Sequence, residues 1–233
     1  MGALSGRTAV VTGVSRGIGR QIATLFAREG AIVAGCSLRS TTPGFLDDLT
    51  PDERAHSFHL LCDVADPAQV KSFRDAVLSR MKAPDILVNN AGIVARKSVG
   101  DLDLATWNAV IGSNLTGTFL MTQAFLPSLK AHSRASIINL ASIAGRQGTP
   151  MLSAYCAAKH GVVGLTRSWA EELRGNNIAV NAICPGSVDT DMLAQGMPGG
   201  KPKMTARDIA KVAVFLAGNA PQAMTGACVD VWG

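Results

Sequence analysis

Charge is scarce in this chain of 233 residues: Asp, Glu, Lys and Arg make up 17%, against 47% hydrophobic residues. So small a charged share beside so large an apolar one excludes a disordered chain and predicts a packed core. Lys and Arg outnumber Asp and Glu by 22 to 17, a net charge of +5. They are scattered, with no basic run long enough to form a nucleic-acid surface, although the bias suits a phosphate-bearing ligand or an acidic partner. None of the cysteines (Cys36, Cys62, Cys156, Cys184, Cys228) stands in a C-x-x-C pair, and most lie among apolar residues. They read as buried thiols of a reducing compartment, so the cytoplasm is expected, or an organelle matrix if a presequence has been removed. The histidines form neither H-x-H nor H-E-x-x-H, and no metal site is expected. His56 and His59 fall in an apparent strand and should point to opposite faces. No stretch of about 18 consecutive apolar residues exists to cross a membrane. The first strand begins so near Met1 that no signal peptide is expected. Internal repeats and Pro/Gly/Ser-rich linkers are missing too, so one domain is expected over 1–233.

What is present is alternation. Apolar runs at Thr8–Thr12, Ala31–Cys36, Ser57–Cys62, Ile86–Asn89, Ser136–Leu140, Ile178–Cys184 and Ala227–Val231 read as strands. Between them, helical patterns cover Gly17 to Glu29 (stopped by Gly30), Pro67–Met81, Ala105–Lys130, Ser153–Arg174 and Ala206–Leu216, and Pro127 should bend or end the third. Strict strand–helix alternation with fully apolar strands predicts an α/β fold: a single Rossmann-type, doubly wound parallel sheet of about seven strands with helices on both faces. Ligands of such sheets bind at the carboxyl ends of the strands. The segment 189–204, rich in Gly and Pro from Gln195 to Lys203, reads as a mobile substrate loop.

Two patterns carry chemistry. In Tyr155-Cys156-Ala157-Ala158-Lys159 a phenol and an ammonium stand four apart, on one face of a helix. A nearby cation should lower the phenol's pKa and suit it to proton transfer near neutral pH. Alone, the pentad equally fits a half-buried tyrosine and a solvated lysine. The first strand runs into Thr12-Gly13-Val14-Ser15-Arg16-Gly17-Ile18-Gly19 and then a helix. Glycines there allow a tight turn, and the helix start offers free N–H groups to a dinucleotide phosphate. A structural turn is the other reading. An acid at the end of the second strand would hold the ribose 2′-hydroxyl of NAD. This chain has Gly35-Cys36-Ser37-Leu38-Arg39-Ser40 instead. Ser37, Arg39 and Arg16 could together take a 2′-phosphate, which points to NADPH and makes NAD the lesser expectation. Arg39 as a solvated loop residue is the alternative.

With these residues in place, the chain resembles the classical short-chain dehydrogenases/reductases nearly end to end. The carriers are the Thr12–Gly19 loop, Asp63-Val64, Asn89-Asn90-Ala91-Gly92, Asn114, Ser142, Tyr155 with Lys159, and Pro185-Gly186 with Thr190. Within that family it is most similar to the 3-oxoacyl-[acyl-carrier-protein] reductases and their alcohol-dehydrogenase cousins. The resemblance implies Tyr155 as general acid in carbonyl reduction and Lys159 as the group that lowers its pKa and holds the nicotinamide ribose. It implies Ser142 on the substrate carbonyl, and Asn114 holding a water that relays protons to Lys159. For the cofactor it implies Gly13, Ser15, Arg16, Gly17, Ile18 and Gly19 at the phosphates, and Asp63 and Val64 beside the adenine. Asn90, Ala91 and Gly92 line it, and Pro185, Gly186, Val188 and Thr190 meet the nicotinamide end, with Val188 on the carboxamide. The segment after Thr190 is shorter than in many relatives, and Trp232 stands where they usually have glycine.

The expected activity is NADPH-dependent reduction of a 3-oxoacyl thioester on acyl carrier protein, as in fatty acid biosynthesis. The alternatives are a dehydrogenase of a sugar, polyol or steroid alcohol, and a non-catalytic scaffold, which would have lost Tyr155, Lys159 or Ser142. A homotetramer is expected from apolar surplus on the two long helices, at Phe119, Met121 and Trp169. Lys130, Arg134 and Arg174 are the candidates for docking an acidic carrier protein near the pocket; the other reading is ordinary solvated helix ends.

Overall fold

The apolar runs form strands β1 (Thr8–Thr12), β2 (Ile32–Ser37), β3 (Phe58–Leu61), β4 (Ile86–Asn89), β5 (Ala135–Leu140), β6 (Ile178–Pro185) and β7 (Cys228–Val231). Helices α1 (Gly17–Arg28), α2 (Pro51–Arg54), α3 (Pro67–Arg80), α4 (Leu104–Ile111), α5 (Gly117–Lys130), α6 (Ser153–Glu172), α7 (Asp191–Gly196) and α8 (Ala206–Val214) alternate with them. The computed structural model describes residues 2–40 and 44–233. The strands make one seven-stranded sheet in the order β3-β2-β1-β4-β5-β6-β7, parallel throughout. From β1 the chain winds outward one way to β3, then returns to build β4 to β7 on the other side. The crevice where the order reverses lies between the carboxyl ends of β1 and β4, the place where such sheets bind ligands.

The period of two in each strand divides the core. Ala9 and Val11 of β1 pack with Ile22 and Phe26 of α1 and Ile209 and Ala213 of α8, whereas Val10 joins Phe73 of α3 and Phe125 of α5 on the opposite face. Ile138 and Ile137 of β5 divide the same way. Phe73 and Phe125 meet edge to face at 6.0 Å and 72°. Gly30 takes φ +91°, and its N–H bonds the Ala27 carbonyl; this left-handed glycine stops α1 and turns the chain into β2.

The structure corrects several expectations. Pro127 does not end the long helix, which continues to Lys130. Its irregularity lies upstream, in a π-turn at Gly112–Thr116 that joins α4 to α5 without a break. Two short helices, α2 and α7, had no counterpart in the pattern. His56 lies ahead of β3 in a turn, and only His59 is in the strand. Met121 is core, 1% exposed, and adds nothing to an apolar surplus; Phe119 is 42% exposed. Lys130 ends α5, and Arg174 lies just past α6 in the turn that leads to β6, so both lie at the pole of the chain opposite the strands' carboxyl ends. Arg134 donates to the carbonyls of Gly218 and Ala220, both at 2.8 Å. These three residues build no basic rim around the crevice of their own chain.

Candidate active site

The first wall of the crevice is the turn after β1. Gly13 has φ +72° and Gly17 φ +57°, conformations that L side chains rarely adopt. The Gly13 N–H bonds the Cys36 carbonyl of β2 at 2.7 Å. Asn90, just past β4, gives its amide to the carbonyls of Thr12 at 2.9 Å and Gly13 at 3.2 Å. In return the Thr12 hydroxyl accepts the N–H groups of Asn90 and Ala91, both at 2.9 Å. This lacing fixes the turn against β4, and a side chain at Gly19 would collide with the Asn90 amide. At the start of α1, Arg16 contributes no side-chain cap and no acid stands in the first turn. The helix start, with its positive dipole end, therefore suits an anion.

At the carboxyl end of β2, Ser37 is 4% exposed and its hydroxyl is already engaged. It donates to the Arg39 carbonyl at 2.7 Å and lies 2.7 Å from Nε2 of His59. Arg39 is exposed. Arg16 is 2.8 Å from Asp191 of α7, both side chains largely in solvent. After β3, Asp63 accepts from the Ala65 N–H at 2.9 Å, which fixes the turn that buries Val64 against Gly117.

The Tyr155 and Lys159 side chains project from α6 toward the ends of β4 and β5. The Lys159 ammonium donates to the Leu140 carbonyl at 2.6 Å and lies 5.5 Å from the Tyr155 ring centroid. The Tyr155 hydroxyl donates to the Met192 sulfur at 3.8 Å. Ser142 follows β5, its oxygen accepting the Ala144 N–H at 3.1 Å. Both side chains of the pair are buried, 9% and 4% exposed, and burial governs both. It pushes the Tyr155 phenol up to about 12, with the Ser142 hydroxyl pulling the other way. It pushes the Lys159 ammonium down to about 8. In the free protein burial sets the direction of the phenol's shift, which runs opposite to the lowering expected from Lys159.

Asn114 sits in the π-turn, a geometry that often marks functional positions. Its amide donates to the carbonyls of Ile93 at 2.8 Å and Val110 at 2.9 Å, which leaves Oδ1 buried without a partner. Gly92 explains where that oxygen points. A Cβ there would collide with Asn114 Oδ1 and stand 3.8 Å from Lys159 Nζ, so the orphan acceptor and the ammonium flank the same glycine.

The segment 189–204 is not a bare loop. Its ends meet where Val188 bridges Met204 and the Asp189 N–H bonds the Met204 carbonyl at 2.9 Å. Inside it lies α7, whose first turn Thr190 caps by accepting the Leu193 N–H at 3.4 Å. Gly186 donates to the Val231 carbonyl at 2.8 Å, which ties the exit of β6, with Pro185, to β7.

The set fits a nicotinamide dinucleotide. Positive-φ glycines and an acid-free helix start suit the pyrophosphate, and the β2 end carries no carboxylate to repel a 2′-phosphate. Several contributors escaped the sequence reading. Thr12, Leu140 and Met192 act through an oxygen, a carbonyl and a sulfur that no motif spacing marks. Asn89 and Asn139 were legible in principle as polar residues inside apolar strands. The Asn89 amide donates to Thr122 of α5 at 3.0 Å and to Asn139 at 2.9 Å, and the Asn139 amide to Thr166 of α6 at 2.9 Å. They tie both long helices to the sheet under the site.

The family model described as short chain dehydrogenase matches residues 7–198. A 3-oxoacyl-[acyl-carrier-protein] reductase of Thermotoga maritima is 33% identical over 248 residues, covering 99% of this chain and 98% of the relative. A D-threitol dehydrogenase of Mycolicibacterium smegmatis is 34% identical over 235 residues, covering 96% of this chain and 90% of the relative. Among solved structures, a protein of Agrobacterium tumefaciens provisionally assigned as a 2-deoxy-D-gluconate 3-dehydrogenase, with bound NADP, superposes with a TM-score of 0.85. That chain is 37% identical, and the match covers 99% of this chain and 96% of the other.

Proposed function

The chain belongs to the short-chain dehydrogenase/reductase family and is an NAD(P)-dependent oxidoreductase of it, and from that premise we propose that it reduces a 3-oxoacyl thioester, borne by acyl carrier protein, with NADPH. The observation that carries the chemistry is the buried Tyr155–Lys159 pair, with Ser142 on one side and the orphan Asn114 acceptor on the other. In this reading Gly13–Gly19 take the pyrophosphate, Ser37, Arg39 and Arg16 the 2′-phosphate, and Asp63 and Val64 the adenine. Asn90–Gly92, Lys159, Pro185, Gly186, Val188 and Thr190 hold the nicotinamide riboside. When bound, the reduced nicotinamide supplies a hydride to the carbonyl carbon.

The chain's own residues manage the oxygen. Ser142 donates a hydrogen bond to it, stabilising the negative charge that grows there. Tyr155 passes its proton to the same oxygen. Burial keeps that proton on the phenol at neutral pH, as a general acid requires, until an alkoxide of higher basicity forms beside it. Lys159, charged below about pH 8, stabilises the phenolate left behind. Asn114 Oδ1 accepts from a water that returns a proton by way of Lys159, which meets the need of a buried acceptor for a partner.

The thioester substrate draws its support from the Thermotoga maritima relative. A second reading, oxidation of a sugar acid or polyol, is favoured by the Agrobacterium tumefaciens structure and the D-threitol dehydrogenase. We also place the protein in a homotetramer, on the exposed Phe119 and Leu104 of the continuous α4–α5 helix (42% and 71% exposed). Light scattering tests this, and a monomer at micromolar concentration refutes it. The test of substrate is NADPH oxidation against 3-oxoacyl thioesters, cyclic ketones and keto-sugars. Turnover of the thioesters at least tenfold above the rest is expected; preference for keto-sugars installs the second reading.

A further inference from the structure

We infer that His59 is a specificity-determining residue for the cofactor: with Ser37 it forms a protonation-dependent reader of the 2′-phosphate on the adenosine ribose. The inference deepens the NADPH reading above and rests on it. The position follows from the sheet. Ser37 ends β2, where an acid would hold the 2′-hydroxyl of NAD. In the β2–β3 register His59 stands opposite Gly35, two residues before Ser37, so the His59 and Ser37 side chains leave the same face. They meet there, His59 Nε2 to Ser37 Oγ, at 2.7 Å.

Proton counting then decides what this pair offers. A serine hydroxyl has one proton, and Ser37 gives it to the Arg39 carbonyl at 2.7 Å. Its oxygen therefore accepts from His59, which carries a proton on Nε2. While that proton stays directed at the Arg39 carbonyl, Ser37 offers a phosphate no donor, and it must turn from Arg39 to take the 2′-phosphate; a neutral His59 brings no charge. A protonated His59 brings a full positive charge one hydrogen bond beneath the 2′-position, where the dianion is best met by charge-assisted donors.

The surrounding charges do not pre-empt this role. On the elements covering this face, Arg20 of α1 is held by both oxygens of Asp48 at 2.7 Å, and Arg28 donates to the Asp48 carbonyl. Arg54 of α2 faces Asp47 at 3.9 Å, and Glu53 accepts the Thr50 N–H. Asp52 and His56 are exposed, as is Arg39 beside Ser37. Past β3, Asp63 is held by its own turn. Burial alone sets the His59 ring, and it lowers the pKa from the usual 6.5. The free ring is thus mainly neutral at pH 7, and an arriving dianion raises its pKa. Binding then takes up a proton, and by linkage the affinity for a 2′-phosphate gains as pH falls.

The test compares wild type with His59→Gln. NADPH and NADH affinities are measured by cofactor fluorescence near pH 6 and near pH 8.5. The variant carries the phosphate's own titration, so the ratio of wild-type to variant affinity isolates His59. For NADPH that ratio should be about tenfold near pH 6 and shrink to within about twofold near pH 8.5; for NADH it should be the same at both. Independently, the His59 ring in wild type, followed by NMR, should titrate at higher pH with saturating 2′,5′-ADP than without it. An NADPH ratio that does not move with pH, or a ring that titrates alike with and without 2′,5′-ADP, overturns the inference while leaving the NADPH reading intact. Wild type binding NADH as tightly as NADPH overturns the NADPH reading, and the inference with it.

Discussion

The two ends of the crevice are built on opposite plans. At the nicotinamide end, Tyr155, Lys159 and Asn114 are buried, each fixed by backbone or a neighbouring side chain, and burial moves both titrating groups far from their usual values. At the adenosine end, Arg39 and Arg16 stand in solvent, and the half-buried His59 is shifted less. Burial turns residue identity into chemistry at one end. At the other, the charges of the proposed 2′-phosphate site are exposed, and water and salt screen them. Substitutions should therefore have large, all-or-none effects at the first end and graded effects at the second.

The largest effect is expected from Tyr155→Phe. It removes the proton donor and should lower turnover by about 10²–10⁴-fold, with NADPH binding, read by fluorescence, nearly unchanged. Activity within tenfold of wild type would reject the role. Next comes Arg39→Ala. One charge-assisted phosphate contact is worth ~1.5–3 kcal/mol, so NADPH affinity should fall roughly tenfold to a hundredfold and NADH affinity should hold. Equal losses for both cofactors would remove Arg39 from the 2′-phosphate.

Lys159 sharpens the comparison through pH. The proposed reduction needs the cation, so kcat/KM should decline as pH rises through about 8; a profile flat to pH 10 contradicts this. Stability responds with the opposite sense. Between about 8 and the usual 10.5 the unfolded chain keeps a proton that folded Lys159 has released, so Lys159 favours folding more as pH rises across that window and loses this as pH falls through about 8. Lys159→Met should flatten that slope in denaturant melts. The smallest effect is predicted for Asp191→Asn, which breaks an exposed pair with Arg16. Cofactor affinity and stability should change by no more than about threefold, and a larger change would mean that α7 is held to the glycine turn by that contact.

The same contrast explains what could be read from the chain alone. β1 and β4 were legible to the residue because Thr8–Thr12 and Ile86–Asn89 are apolar runs with sharp ends, and the order of Gly13, Asn90, Ser142, Tyr155 and Lys159 located the crevice. The π-turn at Gly112–Thr116 was not legible, because a helical pattern runs through it undisturbed. Helices α2 and α7 are too short to show a period. The direction of the Tyr155 shift was missed because it depends on how much sheet and helix closes over the ring, while spacing reports only that Lys159 is near. Ser37 looked free because its partner His59 lies 22 residues away, on a strand whose register no local pattern gives.

Burial, rather than the neighbouring cation, should set the proton on Tyr155 in the free protein. Tyr155 is the only tyrosine in the chain, so phenolate absorbance near 295 nm, with Tyr155→Phe as the blank, reports this one group. No phenolate signal is expected through pH 10, with a midpoint displaced upward toward about 12. A midpoint below 10, in the range a dominant lysine would impose, contradicts it.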